Sequence, residues 1–157
     1  MRTFARSFRC AIRGLALCLR ERNFRFEIAI AAYMFGFLLV YDWFELSRAG
    51  LAALILATAL VLAAEALNTA IEALVDLASP AAHPLAAKAK DIAAGAVLVC
   101  SICAVAVGLA VLWQPAAFRA LAAYYQTKPL MLPALALSLT ATGLWVFPSW
   151  GRKKERT

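Results

Sequence analysis

The sequence predicts an all-α integral membrane protein, and three observations carry that prediction. Hydrophobic residues make up 64% of the 157, where a water-soluble domain carries about 45–50%. Charged residues fall to 16%, against roughly 25% in soluble domains, so one globular core could not hide the apolar surface and a second apolar solvent is required. Four predominantly apolar stretches approach the roughly 17–25 residues that take a helix across hydrocarbon, and no period-two alternation marks a strand.

Residues 1–25 read as an amphipathic helix in the membrane interface. At about 100° per residue, Arg2, Arg6, Arg9, Arg13 and Arg20 fall within roughly 60° of one another. Phe4, Phe8, Ile12, Leu15 and Leu19 gather on the opposite side, so arginines face phosphates and phenylalanines face acyl chains. The expected spans follow at about 26–44, 49–75 and 92–113, with a fourth at about 130–147 between Pro129 and Pro148. Residues 114–129 are expected as an outer loop in which Phe118, Tyr124 and Tyr125 are interfacial anchors.

The charge of +7 is segregated rather than spread, which excludes a nucleic-acid surface. Seven of the 16 basic residues lie in residues 1–25, Lys88 and Lys90 lie between the second and third spans, and four lie at 152–156. Arg48, Arg119 and Lys128 fall on the other side. Thirteen against three places both termini in the cytoplasm. The four cysteines (Cys10, Cys18, Cys100, Cys103) sit in helical or apolar runs without other soft ligands, as small apolar residues rather than a metal or disulfide framework. No apolar region with a cleavage site follows the basic N-terminus, so no signal peptide is expected.

The informative stretch is EALNTAIEALVD, residues 65–76. Glu65, Asn68, Glu72 and Asp76 are spaced by three, four and four residues, which holds them within about 80° of arc as one polar stripe on the second span. Ionisable groups in a span are costly and face partners rather than lipid. Asn68 alone fits an interhelical hydrogen-bond seam, but three carboxylates need protons or a cation between them. Glu21 and Glu27 at the start of the first span, and Lys90 and Asp91 at the start of the third, belong to the same leaflet. Carboxylates at a water-accessible edge, without a Cys or His cluster, point to a hard cation such as Mg²⁺, and beside a basic surface to a nucleotide polyphosphate. Glu65 lies about 10 Å deeper than Glu72, where it can meet a lipid head group and take a proton from an alcohol.

ERNFRFE at 21–27, EALNTAIEALVD at 65–76 and HPLAAKAKDIAAGAVL at 83–98 closely resemble the prokaryotic diacylglycerol kinase family, with ERNFR, HPLA and AAGAVL most similar to its undecaprenol kinase branch. The resemblance covers residues 1–113 and implies a homotrimeric kinase of a bacterial inner membrane, with three spans, using Mg²⁺ and ATP to phosphorylate a lipid alcohol directly. By motif position it implies Glu65 as general base, Glu21 and Glu72 as metal ligands that also face ATP, and Lys90 and Asp91 as ATP contacts with His83 nearby. Asn23, Arg25 and Glu27 border the lipid entrance in this reading, Asn68 organises the substrate site and Asp76 supports the stripe. The absence of GxxxxGK[ST] and GxGxxG motifs agrees, since metal and basic side chains must then meet the phosphate charge. The chain departs from the family by adding residues 114–157. It also shortens the interval from Gly14 to Glu21 by one residue, so no ATP contact upstream of Glu21 is carried over.

Undecaprenol is the favoured substrate, with diacylglycerol as the alternative. A cation or proton transporter would also use an acidic stripe, but residues 49–64 carry no ionisable group, so such a pathway would stop midway. His83 is equally readable as a turn residue beside Pro80 and Pro84, and Lys88 as topology-setting charge.

Overall fold

The computed structural model describes the backbone of residues 2–147 and the side chains from Phe4 onward. The basic tail at 152–156, Pro148 and the side chain of Arg2 therefore lie outside the described residues. Within them the chain is entirely helical, with six helices and no strand.

Helix α1 (Arg2–Cys18) is amphipathic, with Phe4, Phe8, Ile12 and Leu15 on an exposed apolar face and Arg6, Arg9 and Arg13 also exposed. It ends seven residues before the expected limit of 25. Arg20 N–H donates to Leu17 O and Glu21 N–H to Cys18 O, both at 2.9 Å, three-residue bonds that tighten a helix terminus. Glu21 is then extended and opens α2 (Arg22–Val40) without a side-chain cap. Arg22, Asn23 and Arg25 accordingly belong to the first spanning helix, which starts and stops about four residues earlier than expected.

Helix α3 (Arg48–Ala78) begins on Ser47, whose hydroxyl accepts from Gly50 N–H at 3.0 Å, an N-cap that satisfies an otherwise orphaned donor. Gly50 lets this start lie close to the end of α4, because a Cβ there would sit 3.2 Å from Val111 Cγ1. Helix α4 (Pro84–Leu112) begins on His83 with Pro84 in its first turn, a position where the missing N–H costs nothing. It therefore starts eight residues before the expected span at 92. The α3–α4 hairpin is the most extensive helix pair. At about 1.5 Å per residue, α3 is about 46 Å long and α4 about 43 Å. Both exceed a hydrocarbon core of about 30 Å, so at least one end of the hairpin projects beyond it.

The expected outer loop is instead a helix, α5 (Pro115–Thr127), followed by α6 (Met131–Val146), and the two meet at 107°. Three helices, α2, α3 and α4, are each long and apolar enough to cross a membrane, and the bent α5–α6 pair brings the total to as many as four. At 16 residues, α6 is short for a span, yet it runs antiparallel to α2 along most of its length. Met131 and Leu135 share a hollow with Gly36 and Val40 at one end, and Trp145 and Phe147 lie beside Arg25 and Arg22 at the other. The contacts thus run α4 to α3 to α2 to α6.

Helix α5 crosses the end where α2 stops and α3 starts. Tyr41 and Trp43 stack at 4.3 Å, and Tyr124 of α5 meets them at 5.3 and 5.2 Å. Phe118 meets Phe44 and Trp113, each at 5.9 Å. Gln114 pins the junction: its Oε1 accepts from Glu45 N–H at 3.0 Å, and its Nε2 donates to the carbonyls of Glu45 and Val111 at 3.1 Å. Few side chains are buried in the single chain, and most large apolar residues of the spans are exposed, as befits surfaces that meet lipid or other subunits.

Candidate functional site

The stripe on α3 turns inwards at its deep end. Glu65 is 3% exposed and Asn68 7%, the only buried polar side chains among the described residues. Glu72 and Asp76, one and two turns beyond Asn68, are exposed. Asn68 Nδ2 donates to Glu72 Oε1 at 3.1 Å, which fixes the amide between the buried and the exposed carboxylate. Its own Oδ1 is buried without a donor.

Helix α2 supplies the facing wall. Asn23 and the carboxylates of Glu72 and Glu21 lie close enough to Glu65 to act on its charge. Glu27 is half-buried and also faces the charge of Glu65, with its Oε2 lacking a donor. Four carboxylates and two amides from two helices thus lie at the same end of the α2–α3 pair, within electrostatic reach of Glu65 or, for Asn68, bonded to Glu72. Like charges so placed are stable only with a proton or cation among them. Among the described residues no three carboxylates, histidines or cysteines are close enough to form a ready-made metal cage. Magnesium does not ask for one, since it is usually held by one or two carboxylates together with water and phosphate oxygens. The all-oxygen donor set and the two unpaired acceptors suit a hard cation or a hydroxyl donor.

A second cluster lies nearer the loop joining α3 and α4. Lys90 Nζ pairs with Asp76 Oδ1, about 16 Å along α3 from Glu65 by helix rise. An open hollow of about 580 Å³ adjoins them, lined by Asp76, Pro80, His83, Pro84, Ala87 and Lys90 among others. His83 is the N-cap of α4, its Nδ1 accepting from Leu85 N–H at 3.2 Å, so the turn reading of this residue is realised while Nε2 carries no such duty. Asp91 and Lys88 are exposed, and no contact draws either towards Glu65. One chain therefore gathers Glu21, Asn23, Glu27, Glu65, Asn68 and Glu72 in one place and Asp76, His83 and Lys90 in another.

Arg25 takes a different direction from its neighbours. Its guanidinium lies 6.0 Å from the ring centre of Trp145 on α6, and its Nε is buried without an acceptor. Tyr33 and Thr142, which share a 3.0 Å hydrogen bond lower on the same helix pair, were not legible as partners, since nothing in the spacing of an apolar segment names the helix it will meet.

The fold and site together define an all-helical protein with apolar spanning helices, a buried polar pair of side chains at Glu65 and Asn68, and a separate Lys90–Asp76 pair nearer the α3–α4 loop. Comparison with known proteins gives the class its name. The profile of the prokaryotic diacylglycerol kinase family matches residues 9–112. The chain is 42% identical over 109 residues to the undecaprenol kinase of Bacillus subtilis (strain 168), covering 68% of this chain and 85% of that one. It is 41% identical over 113 residues to the diacylglycerol kinase of Synechocystis sp. (strain ATCC 27184 / PCC 6803 / Kazusa), covering 69% of this chain and 62% of the relative. The chain belongs to the prokaryotic diacylglycerol kinase family and is a lipid kinase. Helices α5 and α6 fall beyond the matched residues.

Proposed function

We propose that the protein phosphorylates undecaprenol with ATP and Mg²⁺, at a bacterial inner membrane and with both termini cytoplasmic. The observation that carries this reading is the burial of Glu65 beside Asn23, with Glu27, Glu21 and Glu72 around it. In this reading Glu65 accepts the proton of the lipid hydroxyl, and Asn23, Glu27 and the free Oδ1 of Asn68 orient that hydroxyl, with Arg25 bordering the entrance. Bound Mg²⁺ would supply charge neutralisation on the transferring phosphate, held by Glu21 and Glu72. Lys90, Asp91 and His83 contact the nucleotide, with Asp76 steering Lys90 while the site is empty. Direct transfer suffices, because phosphoryl transfer asks for positioning and charge stabilisation more than for covalent chemistry.

The homotrimer belongs to the same proposal. Lys90 and Asp91 stand apart from Glu65 within one chain, and the exposed apolar faces of α3 and α4 leave room for neighbouring copies. Diacylglycerol is the second reading, favoured by the Synechocystis relative, whereas the longer share of the Bacillus relative favours undecaprenol. The purified full-length protein in lipid vesicles, assayed for Mg²⁺-dependent ADP release with each alcohol, tests both. Faster turnover with undecaprenol is expected. Equal rates would remove the substrate preference, and no stimulation by either lipid would remove the kinase site as described.

A further inference from the structure

Helix α2 is polar on two faces. Asn23 and Glu27 turn towards Glu65 of α3. Arg22, Arg25, Ala29, Tyr33, Gly36 and Val40, spaced by three or four residues, form a second stripe about 140° round the helix from the first. Three contacts pin that second stripe to α6 at successive depths: Arg22 lies 6.0 Å from the ring centre of Phe147, Arg25 lies 6.0 Å from that of Trp145, and the Tyr33 hydroxyl meets Thr142 Oγ1 at 3.0 Å. The small residue Ala29 falls between these contacts on the same stripe, and Gly36 lies one turn past the last of them, beside Met131 and Leu135. Ala29 on α2 and Val146 at the end of α6 are both buried.

Helix α6 carries no ionisable residue, so it brings no chemistry of its own. What it contributes is a fixed rotation of α2. The contact of α2 with α3 is slight beside that of α4 with α3 and similar in extent to that with α6, so α2 is held from both sides, and a turn about its axis would swing Asn23 and Glu27 away from Glu65. Arg25 sits between Asn23 and Glu27 in sequence and at the same depth. We propose that α6 is a positioning helix for the lipid site, with Trp145 as the principal positioning residue acting through Arg25 and Thr142 supporting it through Tyr33. The catalytic part of this inference rests on the lipid-kinase reading, whereas the orientation of α2 does not.

The test separates the two. In the full-length chain, Trp145→Ala is expected to raise the apparent KM for the lipid alcohol about two- to fivefold, the range set by losing one cation–π contact, with the KM for ATP unchanged. Trp145→Phe keeps a ring face and restores the wild-type value, and Thr142→Ser against Thr142→Val repeats the comparison at the hydroxyl. A second arm needs no activity. With Cys10, Cys18, Cys100 and Cys103 replaced by Ala, Asn23→Cys and Glu65→Cys are oxidised to a cross-link, whose rate falls when Trp145→Ala is added and recovers with Trp145→Phe. An unchanged cross-linking rate, an unchanged lipid KM, or a rise in both KM values together would overturn the proposal. A wild-type protein that phosphorylates no lipid alcohol removes the kinase reading, and the cross-linking arm still decides the orientation of α2.

Discussion

The two ends of this helical bundle are built on opposite plans. Around Glu65, carboxylates and amides face one another with unpaired buried atoms at Glu27 and Asn68. Around Tyr41, eight aromatic side chains (Phe37 of α2, Tyr41, Trp43 and Phe44 after it, Trp113 after α4, and Phe118, Tyr124 and Tyr125 of α5) interlock with ring centres 4.3 to 6.4 Å apart. The first arrangement holds unsatisfied polarity that a substrate and a cation would complete. The second is satisfied already. Fold strength and chemistry are therefore separated along the membrane normal, and substitutions at the two ends should divide accordingly into losses of activity and losses of stability.

The largest effect belongs to Glu65. Glu65→Gln keeps the shape and removes the proposed base, and turnover should fall about 10²- to 10⁴-fold, the usual contribution of a positioned general base, while the helical circular dichroism spectrum is preserved. Turnover near the wild-type rate would show that the proton leaves by another route. Next comes Glu72. Glu72→Ala deletes both a carboxylate and the acceptor of Asn68, and the Mg²⁺ concentration for half-maximal activity should rise about tenfold, equivalent to about 1.4 kcal/mol, in a magnesium titration of the purified protein. At the other end, Tyr124→Leu should leave turnover unchanged and lower thermal stability, each lost aromatic pair being worth about 0.5–1.5 kcal/mol. A drop in turnover there, at temperatures well below unfolding, would break the division between the two ends. The smallest effect is expected at Asp76→Asn, where loss of an exposed ion pair changes stability by less than about 1 kcal/mol and the readout of interest is the KM for ATP.

The acidic stripe was legible because helical spacing alone brings residues 65, 68, 72 and 76 to one side, and burial of Glu65 and Asn68 follows from the cost of exposing them to lipid. Helix ends were less legible. The break at 19–21 contains no glycine, proline or capping side chain, and is made by backbone bonds that leave no mark in the sequence. Two missed boundaries did carry a signal, since Pro115 and Pro84 both stand in the first turn of a helix. Reading them as helix starts would have found α5 and lengthened α4. The contacts of Arg25 with Trp145 and of Lys90 with Asp76 depend on which helices become neighbours, and local periodicity holds no such information.

Gln114 has a consequence for any attempt to reduce this enzyme to the length of its matched region. Its side chain satisfies both backbone groups of Glu45 and one carbonyl of α4, so the first residue past Trp113 is stitched into the turn between α2 and α3. A chain ending at 113 would lose these three hydrogen bonds, leaving the exposed Glu45 backbone groups to water and untying the α2–α3 turn from the end of α4.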